Sequence, residues 1–175
     1  MLTHIMFTRR SIIMNKLVIG CDVGIANTAF ACVAFSIPER KPTIIDTKLV
    51  KTDSNLSTGA RLWLIKNDFS WFIKDNYKAD FVAIEDVFFA NNKKSAMQTA
   101  KVIGALELCC YENGLEPKKT VIISPSAVKK AVGVKAKGKQ DMFFAVATAV
   151  DNIGEHSNHH VIDAIAVAIA GHSKE

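Results

Sequence analysis

Four side chains set the chemistry open to this 175-residue chain: Asp22, Glu85, His160 and Asp163. Asp22 leaves the apolar run Leu17-Val-Ile-Gly-Cys, and Glu85 ends the run Phe81-Val-Ala-Ile. A carboxylate in such a place costs several kcal/mol if it is buried without a cation, donors or water. His160 and Asp163 are three residues apart and therefore share one face of a helix. Carboxylates converging from separate elements suit Mg²⁺, which takes carboxylate oxygens, water and substrate phosphates. Two such ions roughly 3.5–4 Å apart activate a water and stabilise the leaving oxygen of a phosphodiester. A histidine beside them would ligate a softer ion such as Mn²⁺ or orient the water.

Each element alone carries little. An acid followed closely by glycine, as in Asp22-Val-Gly24, also fits the phosphate loops of sugar kinases and actin-like ATPases. A single histidine is most often a polar surface residue. His156, His159 and His160 lie close in sequence, but no thiolate spacing accompanies them to make a zinc site.

The elements that must position these groups follow from local patterning. Leu17–Asp22 reads as a buried strand, and Gly24 and Asn27 turn it into a second strand, Ala29–Ser36, as an antiparallel hairpin. Thr43–Val50 is a third strand. Asn55-Leu-Ser-Thr offers N-caps for a helix whose apolar residues Leu62, Ile65, Phe69, Phe72 and Ile73 recur at helical spacing. Phe81–Glu85 is a short apolar strand. A loop with Phe88, Phe89, Asn91 and Asn92 leads to a long helix from about Ser95, with Met97, Ala100, Ile103, Gly104 and Leu106 among its inward candidates. Asn113-Gly114 suits a left-handed C-cap for it. Thr120–Ile123 is the next strand, and Ser124-Pro125-Ser126 starts a short helix through Val132. Gly133–Gly138 is a lysine-rich loop, Gln140–Val150 a helix and His160–Ala170 the last helix. A meander followed by strand–helix alternation predicts an α/β protein, a mixed five-stranded sheet with helices on its faces.

Length and composition fit one globular domain, expected over residues 15–175. Residues 1–14 are read as an extension: the stretch is basic, lacks acids, and runs up to a further methionine, Met14. It fits a flexible tail, an upstream start or a short targeting sequence. No apolar run approaches the ~20 residues that cross a bilayer, so no membrane partner is expected. Cys21, Cys32, Cys109 and Cys110 show no metal or redox spacing and read as buried thiols of a reducing intracellular compartment, whether cytoplasm, organelle or viral factory. The net charge of +5 is concentrated. Lys129, Lys130, Lys135, Lys137 and Lys139 form one group, and Lys93, Lys94 and Lys101 another. These are either solvated faces or a footprint for a phosphate backbone.

The run Phe81-Val-Ala-Ile-Glu-Asp-Val-Phe-Phe-Ala-Asn-Asn-Lys-Lys-Ser-Ala resembles the second acidic motif of RuvC-type Holliday junction resolvases, members of the RNase H-like nuclease superfamily. Ile19-Gly-Cys-Asp-Val-Gly is similar to the first motif of that family, with Val23 where proline is usual. Ser124–Gly133 resembles its strand-to-helix segment, and His160–Ala168 its last acidic motif. The four matches occur in the family's order and span most of Leu17–Gly171.

The resemblance implies an RNase H-like fold, a homodimer, and cutting of four-way DNA junctions with two Mg²⁺ ions per site, Mn²⁺ substituting. It makes Asp22, Glu85 and Asp163 metal ligands and puts His160 at a fourth position that is aspartate in many members. Phe88 matches the family's aromatic wedge at the junction centre. Lys129 and Lys139 match its DNA-contacting positions, and Lys93, Lys94, Lys130, Lys135 and Lys137 extend the DNA-binding set. Ala96, Ala100, Gly104 and Ala105 fall on the helix that supplies much of the family's dimer interface. Alternatives are another RNase H-like nuclease acting on branched DNA or RNA–DNA hybrids, or a junction-binding or ATPase-like relative without hydrolysis.

Overall fold

The computed structural model describes residues 14–37, 41–76, 79–87, 93–115, 119–133, 139–154, 156 and 158–174. Five strands form one sheet in the order β3-β2-β1-β4-β5. Strands β1 (Met14–Asp22), β2 (Asn27–Ile37) and β3 (Thr43–Lys51) form the antiparallel meander, and β4 (Phe81–Glu85) and β5 (Thr120–Ile123) add in parallel to β1. The helices are α1 (Thr58–Asp75), α2 (Lys93–Glu112), α3 (Pro125–Ala131), α4 (Lys139–Ala149) and α5 (His159–His172). The mixed five-stranded sheet with helices on both faces agrees with the sequence expectation. Met14 pairs with Ile37 and so belongs to the sheet, not to the extension expected for residues 1–14. No described helix is long and apolar enough to cross a membrane.

Alternation along the strands divides the core into two halves. Val18 of β1, Ala29, Ala31, Val33 and Phe35 of β2, and Phe81 and Ala83 of β4 pack on the side of α3, α4 and α5. Ile19, Cys21, Phe30, Cys32, Val82 and Ile84 face α1 and α2. All four cysteines are buried and free. The expected caps are present: Ser57 accepts from the Ala60 amide, Ser124 caps α3 ahead of Pro125, and Gly114 adopts φ 77° just after α2.

The phase of α2 differs from the expectation in part. Ile103 and Leu106 turn inward with Val102, Cys109 and Cys110, whereas Met97, Ala100 and Gly104 face solvent. The two cysteines fill core positions on this helix, and that fixes its rotation with Met97 on the outer side. Ala96 is buried and Ala105 half-buried.

Helix α5 is apolar nearly all round because it is covered all round, by the sheet beneath and by α3 and α4 above. It approaches β1 at backbone distance. A Cβ built on Gly20 would lie 2.1 Å from the Ala164 carbonyl oxygen and 2.4 Å from the Ala168 nitrogen. At the other end a Cβ on Gly171 would lie 2.6 Å from Ala83 Cβ. Gly20→Ala must therefore lift α5 off the sheet. Overpacking of this kind costs about 1–3 kcal/mol or more, and the expected result is a clearly lowered midpoint in thermal or denaturant unfolding. An unchanged midpoint would show that the contact is looser than described.

Candidate active site

The strand alternation that builds the core also aims the acids. Residues 18 and 20 of β1 face α5, so Asp22 does too. Residues 81 and 83 of β4 face α5, so Glu85 follows. Cys21 is paired in parallel with Ile84, which sets Asp22 and Glu85 side by side one step beyond. Above them, Ala164 sits over Gly20, and one helical turn back along α5 is His160. A turn of helix rises about 5.4 Å and two strand residues about 6.6–6.8 Å, so the helix and strand stay in step. Asn158 starts α5 by accepting from the His160 amide at 3.0 Å.

The contacts bear this out. His160 Nδ1 lies 2.7 Å from Asp22 Oδ2, with the imidazole N–H donating to the carboxylate. Glu85 has its pKa pushed up to about 8 by burial, then by the negative charges of Asp22 and Asp163 and by a hydrogen bond with Asp22, while Lys129 pulls it down. Asp22, Glu85, Asp163, His160 and Lys129 thus meet although 141 residues separate Asp22 from Asp163. Among the described residues no three such side chains already form a closed metal cage. The donor set nevertheless fits a hard divalent cation: crowded carboxylate oxygens, an imidazole, and negative charge that Lys129 only partly offsets.

Glu85 and Asp163 open onto a groove of about 740 Å³ lined also by Val23, Asp86, Ser95, Thr99, Ser124, Ser126, Lys129 and Met142. Sequence reading passed over the hydroxyls of Ser95, Thr99, Ser124 and Ser126 as site residues. Lys93 and Lys94 stand exposed on the first turn of α2, next to Ser95. Cations are electrostatically unfavourable at a helix N-terminus, and no acid in the first turn offsets them. Lys129 and Lys130 are exposed on α3. Lys139 opens α4. Phe88, Phe89, Asn91, Asn92, Lys135 and Lys137 lie outside the described residues.

A sheet of this order, with acids ending two adjacent parallel strands and another on the helix that crosses them, defines an RNase H-like nuclease fold. The chain belongs to the RuvC family, described as crossover junction endodeoxyribonuclease RuvC, which matches residues 18–172. Relatives bearing that description include one from Treponema denticola, 30% identical over 157 residues, covering 89% of this chain and 85% of the relative. Another, from Campylobacter curvus, is 33% identical over 154 residues, covering 87% of this chain and 93% of the relative. The structure of T. thermophilus RuvC in complex with a Holliday junction substrate shares the fold, with a TM-score of 0.73 at 21% identity over 88% of this chain and 91% of that one. Nucleases of this family depend on a metal ion.

The raised pKa of Glu85 has a measurable consequence. When folded it holds its proton up to about pH 8, against 4.5 for an ordinary glutamate. Between those values the unfolded chain binds fewer protons than the folded one, so stability falls as pH rises through that window. In EDTA the thermal midpoint should drop between about pH 4.5 and about pH 8, and Glu85→Gln should flatten the slope. A variant as steep as the wild type would remove Glu85 as the cause.

Proposed function

We propose that the chain resolves four-way (Holliday) DNA junctions by paired symmetric incisions, acting as a homodimer with two Mg²⁺ ions at each active site. The observation that carries this reading is the convergence of Asp22, Glu85, His160 and Asp163 beside a groove that Lys129 also lines. Held by those four side chains, the ions would activate a water and stabilise the departing oxygen, and Mn²⁺ would substitute. Asp22 and Glu85 are fixed by the sheet, so they would offer rigid oxygens to the ions. Lys129 faces the same groove and balances phosphate charge near the carboxylates. Lys93, Lys94, Lys129 and Lys130 are exposed and would supply cations for a backbone footprint. Lys135, Lys137, Lys139 and Phe88 join the set on the family resemblance, Phe88 as the wedge at the junction centre. The working unit is a single nuclease domain, with the residues before β1 as an extension.

Two incisions related by symmetry need two active sites related by a two-fold axis, which a homodimer supplies. The outer face of α2 supports it. Met97 (61% exposed), Leu108 (54%) and Tyr111 (71%) form an apolar stripe with the small residues Ala100 and Gly104 between them. A Cβ on Gly104 would meet nothing within 4 Å, so a second helix has room to approach there.

Asp22→Asn, Glu85→Gln and Asp163→Asn should each abolish cleavage of a synthetic four-way junction while leaving gel-shift affinity for it largely intact. Metal-dependent cutting retained by any one purified variant would remove that residue from the site. Phe88→Ala should slow cutting of an intact junction more than of a nicked one; equal losses would refute the wedge. Leu108→Glu should yield monomers by light scattering and abolish paired incision. A fully active dimer would move the interface elsewhere.

A further inference from the structure

The turn between β1 and β2 begins directly after Asp22, and side chains outside it hold it in place. Thr28, fully buried, donates its hydroxyl to the Gly24 carbonyl at 2.7 Å. Thr52, just beyond β3, donates its hydroxyl to the Ile25 carbonyl at 2.5 Å and its amide to the Ala26 carbonyl at 3.0 Å. Three successive carbonyls of the turn are thus tied down. Behind Thr52 stands Arg61 of α1, whose Nε donates to the Thr52 hydroxyl at 2.8 Å. That bond leaves the Thr52 proton one direction to go, toward Ile25.

The placing of Arg61 is unfavourable for its own helix. It lies in the first turn of α1, where no acid accompanies it and where the helix dipole opposes a cation. A locally misplaced group that donates to a hydroxyl outside its own helix points to a site built for something other than helix stability. Through Thr52, Arg61 reaches the backbone of the turn that carries Asp22 out of the sheet.

We propose that Arg61 and Thr52 are positioning residues for the nuclease site: they clamp the Val23–Ala26 turn so that Asp22 keeps its place beside Glu85 and His160. The relay acts through Asp22 and touches neither substrate nor ion, and it rests on the nuclease reading given above. Misplacement of a reacting group by about 1 Å is enough to cost on the order of a hundred-fold in rate. The threonine hydroxyl is the link, so Thr52→Val, which keeps the shape and removes the hydroxyl, breaks both bonds. Thr52→Ser keeps them. Arg61→Met breaks one bond on a half-buried helix surface, and Arg61→Lys retains a donor.

The test compares these four variants and the double Thr52→Val/Arg61→Met with wild type. Single-turnover cutting of a labelled four-way junction, junction affinity in Ca²⁺, and amide exchange of residues 25–27 in metal-free protein are measured together. Thr52→Val and Arg61→Met should each lose about ten-fold or more in rate with affinity held within about two-fold. The Mg²⁺ concentration for half-maximal rate should rise, and exchange of the turn amides should speed up. Serine and lysine should restore most of the rate, and the double variant should be little worse than Thr52→Val, as expected of two groups in one relay. Cutting by Thr52→Val at the wild-type rate would overturn the proposal. So would losses that multiply in the double variant, or a fall in junction affinity that accounts for the lost rate, which would make Arg61 a DNA contact instead. Absence of cutting by the wild type would instead strike the nuclease reading, and the turn's exchange behaviour would still decide whether the clamp exists.

Discussion

Helix α5 lies against the sheet at backbone distance because Gly20 offers no side chain beneath Ala164 and Ala168, and because Gly171 leaves room for Ala83 and Val18. The site depends on that contact. Strand alternation turns Asp22 and Glu85 toward α5, but a helix held off by a side chain at residue 20 would carry His160 and Asp163 away from them. Ala164 and Ala168, small residues standing over Gly20, make the close approach possible on the helix side. One small-residue seam therefore serves packing and chemistry together, and the core cannot be loosened there without moving the acids.

The electrostatics run against stability at the same place. Three carboxylates crowd one end of the sheet, one of them with its pKa pushed up to about 8 by burial and by its neighbours. The Asp22–His160 contact at 2.7 Å and the charge of Lys129 relieve only part of this. Such an arrangement persists because the surrounding core holds it, and it is the condition in which a divalent cation binds strongly. The lysines in the first turn of α2 repeat the pattern at lower intensity: charges that do nothing for their helix stand beside the groove.

Much of this was legible in the sequence. The strand-end acids, the hairpin, the serine caps and the Asn113-Gly114 stop are local features with local causes, and each appears in the structure where its residues put it. That Asp22 and Glu85 share a face was also legible, since both follow from counting by two along apolar strands. The rotation of α2 was not. Cys109 and Cys110 act as core residues there, so Met97, Ala100 and Gly104 fall outside, and a reading that scored them with the apolar face had the phase wrong. The Arg61–Thr52 relay was hidden for another reason. It joins a helix start to a strand end and then to a turn far away in sequence, and no periodicity announces hydrogen bonds of that kind.

The outward apolar stripe of α2 and the acid cluster are separate features, and a junction resolvase needs both, since a lone site gives only a nick. The most direct measurement of the whole account is incision mapping on a synthetic four-way junction, each of its strands end-labelled in turn, with Mg²⁺ present or withheld. The account predicts Mg²⁺-dependent cuts at symmetric positions on two opposed strands, with linear duplex and RNA–DNA hybrid left intact. Cutting of duplex or hybrid at a comparable rate, or a single unpaired nick, would contradict it.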